Sequence, residues 1–418
     1  MRLLNNLLSK LKKSKKSAFI KLKKTQEITK IFDTFNKNSD QIEIRYVGGC
    51  LRKILNNEKV DDIDLSVNVN PQKVIEILEK NNIKYLKIGI EHGTITALIN
   101  EKKFEITSLR KDLITDGRHA IVKFSNDWLE DASRRDFTIN SIYSDIDGNL
   151  YDPFNGKEDL KIGKVKFIGD TEKRIKEDYL RILRYIRFFS IYSKEKHSPK
   201  VIRIIKRNIQ GIYNVSPERL LNEFSKIFNS GKIIELGNDS FSKQVVKLIF
   251  PQFKGLDLIS DKSVRTTELI NKIDFVVFLA LMVSDETDNA EYFIYRFKIS
   301  NKDKKRILNY KNLIQNKKKA SENYLWKIFY YYGKQSLLDF LSLEFIRSKG
   351  KNKKLYEFLN YFKDRDQPVF PIKASLLMDK YNLSEGKKLG EKIKKIEIKW
   401  VNNQFKISDD EIKNIVNH

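Results

Sequence analysis

The chain has 418 residues, 33% of them charged and 40% hydrophobic, an ordinary globular composition that excludes a disordered chain. Its formal net charge of +26 points to a polyanionic partner, nucleic acid before acidic membrane, with a Lys- and Asn-rich composition along the whole chain as the plainer source. The single cysteine, Cys50, excludes an intramolecular disulfide and a cysteine-based zinc site, and fits the cytoplasm.

In chain order, the opening MRLLNNLLSKLKKSKKSAFIKLKK is basic and amphipathic. It predicts a surface helix within a leading segment, residues 1–35. A transit peptide is the alternative, although the stretch is Lys-rich and has no small-residue cleavage site. Residues 41–150 read as mixed α and β. IEIRYVG and DDIDLSVNV are strand-like, and PQKVIEILEKNN is a helix opened by proline. TITALIN and KFEITSLR flank EKK as a hairpin, and INSIYSDIDGNLYDPF holds a further strand with its turn at DIDGN.

Helical periodicity then takes over. TEKRIKEDYLRILRYIRFFSIYS predicts one long amphipathic helix that Thr171 can cap. SPERLLNEFSKIFNSG has Ser216 at the N-cap, Pro217 at the first helical position and Gly231 past the end. More helices follow, joined by Lys-heavy connectors at 301–306 and 317–319. The longest apolar run, FVVFLALMV (275–283), is far short of the ~20 residues that span a bilayer, so no membrane is expected.

Chemistry concentrates at residues 45–67, RYVGGCLRKILNNEKVDDIDLSV. Asp62 and Asp64 alternate with Ile63, so on a strand both carboxylates point to one face, with Asp61 on the other. Two like charges held that close call for a counter-ion, and a hard divalent cation such as Mg²⁺ suits oxygen ligands. A solvated strand edge is the plain alternative. Gly48-Gly49 at a strand end exposes backbone N–H groups where the helix CLRKIL begins, an anion site to which Arg52 adds charge. Carboxylates beside a phosphate cradle are the parts of phosphoryl or nucleotidyl transfer.

VGGCLRKILNNEKVDDIDLS, EDASRRDFTINSIY (130–143), KEDYLRILRYIRF (176–188) and SPERLLNEFSKI occur in that order. Together they resemble the superfamily of class II tRNA nucleotidyltransferases and bacterial poly(A) polymerases, over roughly residues 40–235. The resemblance implies an α+β fold, a polymerase-β-like head with a mixed sheet followed by an all-helical neck, body and tail. The expected segments are a head at 36–165, a neck at 166–260 and a body and tail at 261–418. In one place the match departs: the family usually has Asp or Asn after the Arg of its first motif, and this chain has Lys53.

The resemblance also implies roles. Asp62 and Asp64 would hold Mg²⁺, with Glu105 in KFEITSLR a candidate third carboxylate or else a surface Glu. Gly48, Gly49 and Arg52 would meet the phosphates or ribose of the incoming nucleotide. Arg135, with Asp136 and Asn140, would clamp triphosphate or sugar. Asp178 and Arg181 are three apart, as in a simple salt bridge. A carboxylate only accepts hydrogen bonds and a guanidinium only donates. Cytosine and adenine both offer an amine beside a ring-nitrogen acceptor, whereas uracil and guanine offer the reverse, so one Asp/Arg pair can read C and A. Arg184 and Arg187 would line the same site, although on one continuous helix Arg187 falls nearly opposite Asp178.

HGTITA, EITSLR, DGR and the segment 372–400 look like the CCA-adding branch, of alphaproteobacterial type. The chain's last residues, DDEIKNIVNH, do not look like the basic tail of bacterial poly(A) polymerases. TDGRHAIVKF (115–124) is expected to be a mobile turn before the RRD motif. The expected partners are tRNA, CTP and ATP. The rivals are poly(A) addition, addition of A alone, and a catalytically silent RNA-binding protein.

Overall fold

A computed structural model describes residues 18–60, 62–115, 120–260, 263–315 and 322–417. Its internal contacts divide the chain into two compact units, residues 1–224 and 225–418.

In the first unit, seven strands form one sheet in the order β3-β4-β5-β2-β1-β8-β9. They are β1 (Ile44–Val47), β2 (Ile63–Val67), β3 (Lys84–Leu86), β4 (Thr94–Ile99), β5 (Lys102–Ser108), β8 (Tyr143–Ser144) and β9 (Leu150–Tyr151). Only β2 and β5 pair in parallel, so the sheet is mixed. The hairpin expected around EKK is β4–β5, and the turn expected at DIDGN joins β8 to β9. A second, two-stranded ribbon joins β6 (Arg110–Thr115) to β7 (Ala120–Phe124). The sequence reading has only a turn there. Its tip, 116–119, lies outside the described residues.

Alternation along the strands sets the two faces of the sheet. Leu65, Val67, Ile95, Ala97, Phe104 and Ile106 are buried on one face. That face packs against α1 (Gln26–Asn36) and α3 (Pro71–Lys80), whose Ile31, Phe32, Phe35, Val74 and Leu78 are likewise buried. The residues between them, Asp64, Ser66, Glu105, Thr107, Thr94 and Thr96, share the other face. Placing these polar groups on one side is what creates a site. Asn70 caps α3 by accepting from the Lys73 N–H, and Pro71 fills the first helical position, as the sequence indicates.

Residues 1–17 of the expected surface helix lie outside the described residues, as do Asp61 and Lys317–Lys319. Residues 18–23 are helical, and α1 is a separate, core-packed helix.

Helices α2 (Gly48–Asn56), α4 (Trp128–Arg134) and α5 (Gly156–Ile162) complete the head, followed by α6 (Thr171–Glu177), α7 (Leu180–Tyr192), α8 (Pro199–Asn208) and α9 (Pro217–Asn229). The single long helix expected from residue 171 is two helices, α6 and α7. Asp178 between them is extended (φ −155°, ψ 105°), and its carboxylate accepts from the Leu180 N–H, which opens the next helix. The Tyr179 ring lies against Gly211, where an added Cβ would stand 1.9 Å from a ring carbon. The cap of α6 is Asp170, accepting from the Lys173 N–H at 2.8 Å, rather than Thr171.

The second unit is helical throughout its described residues. The apolar run at Phe275–Val283 is one of its helices, buried from Val277 onward, as a helix apolar on all sides must be. No helix among the described residues is long and apolar enough to cross a membrane. The connector expected at 301–306 is instead the first part of a helix, Asn301–Gln315. Ser300 caps it, accepting from the Asp303 N–H and donating to the Asp303 carboxylate. The last helices, Ala374–Tyr381, Lys387–Asn402 and Asp409–Asn417, close over Leu377, Leu389, Ile396, Ile412 and Val416.

Gly211→Ala is therefore expected to cost about 2 kcal/mol or more by forcing Tyr179 out of its place. Gly390→Ala, in a helix with nothing within 4 Å, should cost nothing. Denaturant midpoints of the two variants measure this. Equal effects would contradict the Tyr179 packing.

Candidate nucleotide site

A cleft of 540 Å³ lies inside the first unit, and Asp64 of the polar sheet face stands behind its Gly48 wall. Its walls include Gly48, Gly49, Arg52, Arg135, Asp136 and Asn140 from the head, and Asp178, Arg181, Arg184 and Arg187 from the helices that follow. All ten residues proposed from the sequence to meet a nucleotide thus line one space, although more than a hundred positions separate them.

Gly48 has a positive φ (+69°), open to glycine at little cost, and an added Cβ there would stand 3.4 Å from Asp64 Oδ2. The Gly49 N–H donates to the Asp64 carboxylate. Burial pushes Asp64 above the ordinary carboxylate range, and the nearby Asp62 adds to this while Arg52 opposes it. Glu105 is the register partner of Asp64 on the adjacent parallel strand, and burial together with the charges of Asp64 and Asp62 raises it too. Asp62 sits one residue before β2 and is exposed. Among the described residues no three carboxylate, imidazole or thiol groups converge to cage an ion unaided. A carboxylate pair under mutual repulsion fits a cation that keeps its waters and takes phosphate oxygens from a substrate, the habit of Mg²⁺.

Arg52 is buried, and its partners come from distant positions. Its Nη1 donates to Asn140 Oδ1, and its Nε donates to the Tyr192 hydroxyl at 3.2 Å. The guanidinium stands 4.9 Å from the centre of the Phe188 ring. Asn140 in turn donates to Asp136 Oδ1 (2.6 Å), and Arg184 Nε donates to Asp136 Oδ2 (2.7 Å). Arg52, Asn140, Asp136 and Arg184 are thus one chain of contacts linking α2, the RRDFTIN segment and α7. Burial alone would raise the Asp136 carboxyl, but Arg184 and Asn140 bring it down to about 2.

A second carboxylate holds the paired arginines. Asp131, fully buried, accepts from Arg134 Nε (2.9 Å), Arg135 Nη2 (2.9 Å) and the Tyr143 hydroxyl (2.7 Å). Arg135 also reaches the Asn140 carbonyl and Ser66 Oγ. Against the effect of burial, Arg135 and Arg134 hold the Asp131 carboxyl well below the usual range.

Also on the cleft wall, Asp178 and Arg181 are not bonded to each other through their side chains. Asp178 Oδ2 accepts from Arg219 (2.8 Å), and Arg181 Nη1 donates to Glu177 (2.6 Å) and to the Arg174 carbonyl (2.7 Å). Because the chain breaks at Asp178, the helical count that set Arg187 opposite that residue does not apply. Arg187 lines the cleft with Arg184, and its Nε is held by Glu223.

Sequence reasoning missed Asp131, Tyr143, Tyr192, Arg219 and Glu223. The i,i+4 spacing of Asp131 and Arg135 is a readable signal. Tyr192, 140 positions from Arg52, carries none.

A family model described as the poly A polymerase head domain matches residues 44–166. The CCA tRNA nucleotidyltransferase 1, mitochondrial, of Danio rerio is 32% identical over 93% of this chain and 92% of its own length. This chain belongs to the CCA tRNA nucleotidyltransferase family. Its fold also matches a Bacillus stearothermophilus CCA-adding enzyme solved in complex with CTP, with a TM-score of 0.70 at 20% identity over 94% of this chain and 96% of that one. A Thermotoga maritima CCA-adding enzyme complexed with tRNA matches with a TM-score of 0.66 at 19% identity over 96% and 97%.

The depressed Asp136 carboxyl makes stability depend on pH with a definite sign. Its folded value of about 2 lies below an unfolded value of about 3.9. The stabilisation, on the order of 2 kcal/mol, is present above pH ~4 and lost as pH falls toward 2. Melting temperature should therefore fall more steeply between pH 4.5 and 2.5 in the parent protein than in Asp136→Asn. Parallel curves would contradict the Asp136–Arg184 assignment.

Proposed function

We propose that this protein adds C, C and A to the 3′ end of tRNA from CTP and ATP, without a nucleic-acid template and with release of pyrophosphate. One observation carries the reading beyond family membership: a single cleft holds both a guanidinium-lined end suited to phosphate and the Asp178/Arg181 pair suited to a base edge.

In this reading the Gly48-Gly49 turn lets the triphosphate approach the backbone, and Arg52 and Arg135 bind its oxygens. Asp136 and Asn140 keep those guanidinium groups aimed. Arg184 and Arg187 complete the wall. Asp178 accepts from the exocyclic amine of cytosine or adenine, since a carboxylate already bonded to the Leu180 N–H and to Arg219 still has acceptor sites. Among the described residues the side-chain bonds of Arg181 run from Nη1, so its other guanidinium N–H groups can meet the ring nitrogen. Uracil and guanine would set donor against donor and carbonyl against carboxylate, leaving buried groups unpaired.

Asp62 and Asp64 would hold the divalent cation, which we take to be Mg²⁺, with Glu105 beside them as an added negative charge. When bound, the cation supplies activation of the primer 3′-hydroxyl and neutralisation of the pyrophosphate charge. The helical regions would hold the tRNA by shape and phosphate contacts, in keeping with the net charge of +26. We place the protein in the cytoplasm, where the buried thiol of Cys50, pushed up to about 12 by burial, stays reduced.

The deciding experiment gives the purified protein a tRNA lacking its 3′ terminal CCA, with CTP, ATP and Mg²⁺, and sequences the products. Restoration of CCA is expected. Long A tails would identify a poly(A) polymerase, and a lone A on a CC-ended tRNA an A-adding enzyme. No incorporation would leave an RNA-binding protein. In the same assay Asp62→Ala should lower incorporation on the order of 10³-fold and leave tRNA affinity intact. Equal loss of both would remove Asp62 from the cation site.

A further inference from the structure

Arg174 belongs to none of the groups that line the cleft, yet its side chain is only 11% exposed and touches both ends of the machinery. Its Nη2 donates to the backbone carbonyls of Arg134 and Arg135. These carbonyls lie at the end of α4, where they have no helical partners and where the helix dipole favours a cation. Its Nη1 donates to Glu177 Oε2, the same oxygen that holds Arg181 Nη1. Its own carbonyl also accepts from Arg181 Nη1.

We propose that Arg174 is a positioning residue that ties the backbone of the Arg134-Arg135 clamp to the aim of Arg181, and so sets the accuracy of the choice of C and A over U and G. The inference rests on the reading that Arg181 meets the base edge. A planar fork holds two carbonyls and a carboxylate in fixed directions, whereas an ammonium is a point charge with freely rotating donors and fixes none of them. With Arg174 replaced by Lys, the carboxylate of Glu177 keeps a cation nearby but loses its fixed direction. Arg181, held by that carboxylate, loses its fixed direction as well. The phosphate contacts of Arg135 are less affected, because Asp131 and Tyr143 still hold that side chain.

The test measures incorporation of all four nucleotides onto trimmed tRNA by the parent protein, Arg174→Lys and Glu177→Gln, with circular dichroism on the same preparations. Glu177→Gln weakens the same bridge from its other end without emptying the space beneath the clamp. Both variants should raise the ratio of U and G to C and A incorporation about tenfold or more, the effect of losing one charged hydrogen bond. In an Arg181→Lys background, Arg174→Lys should add no further loss. Slower incorporation with unchanged base choice in both variants would assign Arg174 to structure alone and overturn the proposal. If the parent protein adds neither C nor A, the functional reading fails instead. The ratio of CTP to UTP affinity, compared between the parent and Arg174→Lys, then decides the role of Arg174.

Discussion

Eight arginines, Arg52, Arg110, Arg134, Arg135, Arg181, Arg184, Arg187 and Arg219, line one cleft, and holding so many like charges there is the constraint that organises the first unit. Like charges this dense would push apart unless fixed acceptors stood behind them. Asp131, Asp136, Glu177, Asp178 and Glu223 hold Arg134, Arg135, Arg184, Arg181, Arg219 and Arg187, and Asn140 and Tyr192 hold Arg52. Breaking a buried pair by removing one partner strands the other charge, so these carboxylates carry stability and site geometry together. The cleft is therefore assembled before its ligand binds, and binding need not organise the guanidinium groups again.

The sheet explains why the acidic and basic parts meet without cancelling. Period-two alternation places Asp64 and Glu105 on the polar face, in adjacent parallel strands, while the apolar residues between them bind the sheet to α1 and α3. The arginines come from α2, β6, the RRDFTIN segment, α7 and α9. The result is a wall of guanidinium groups beside a pair of carboxylates, the arrangement on which the proposed binding of a triphosphate together with a divalent cation rests.

Much of this was legible in local sequence, because its signals are local. The Gly48-Gly49 turn, the alternation of Asp62 and Asp64, the strand pattern of TITALIN and KFEITSLR and the capped start of α3 each follow from a few adjacent residues. The parts that were not legible depend on contacts across the fold. Apolar residues lie on both sides of Asp178, at Ile175 and at Leu180, Leu183 and Ile186, so the break there is invisible without Gly211 lying under Tyr179. The support of Arg52 comes from Asn140, Phe188 and Tyr192, which no spacing predicts. That arrangement also gives Lys53 a context: the neighbouring arginine is oriented from the opposite wall and does not need an acid at the next position. The helix at Asn301–Gln315 was misread for another reason. Lysines on a solvated helical face look the same in sequence as lysines in a connector, and only the Ser300 cap distinguishes them.

In the proposed function one protein-built site selects both C and A, and a nucleotide-binding titration without tRNA measures that selection. Calorimetry should find a single site per chain for CTP, from which ATP displaces CTP competitively while UTP and GTP bind much more weakly. Independent sites for CTP and ATP, or equal affinity for all four nucleotides, would contradict the account.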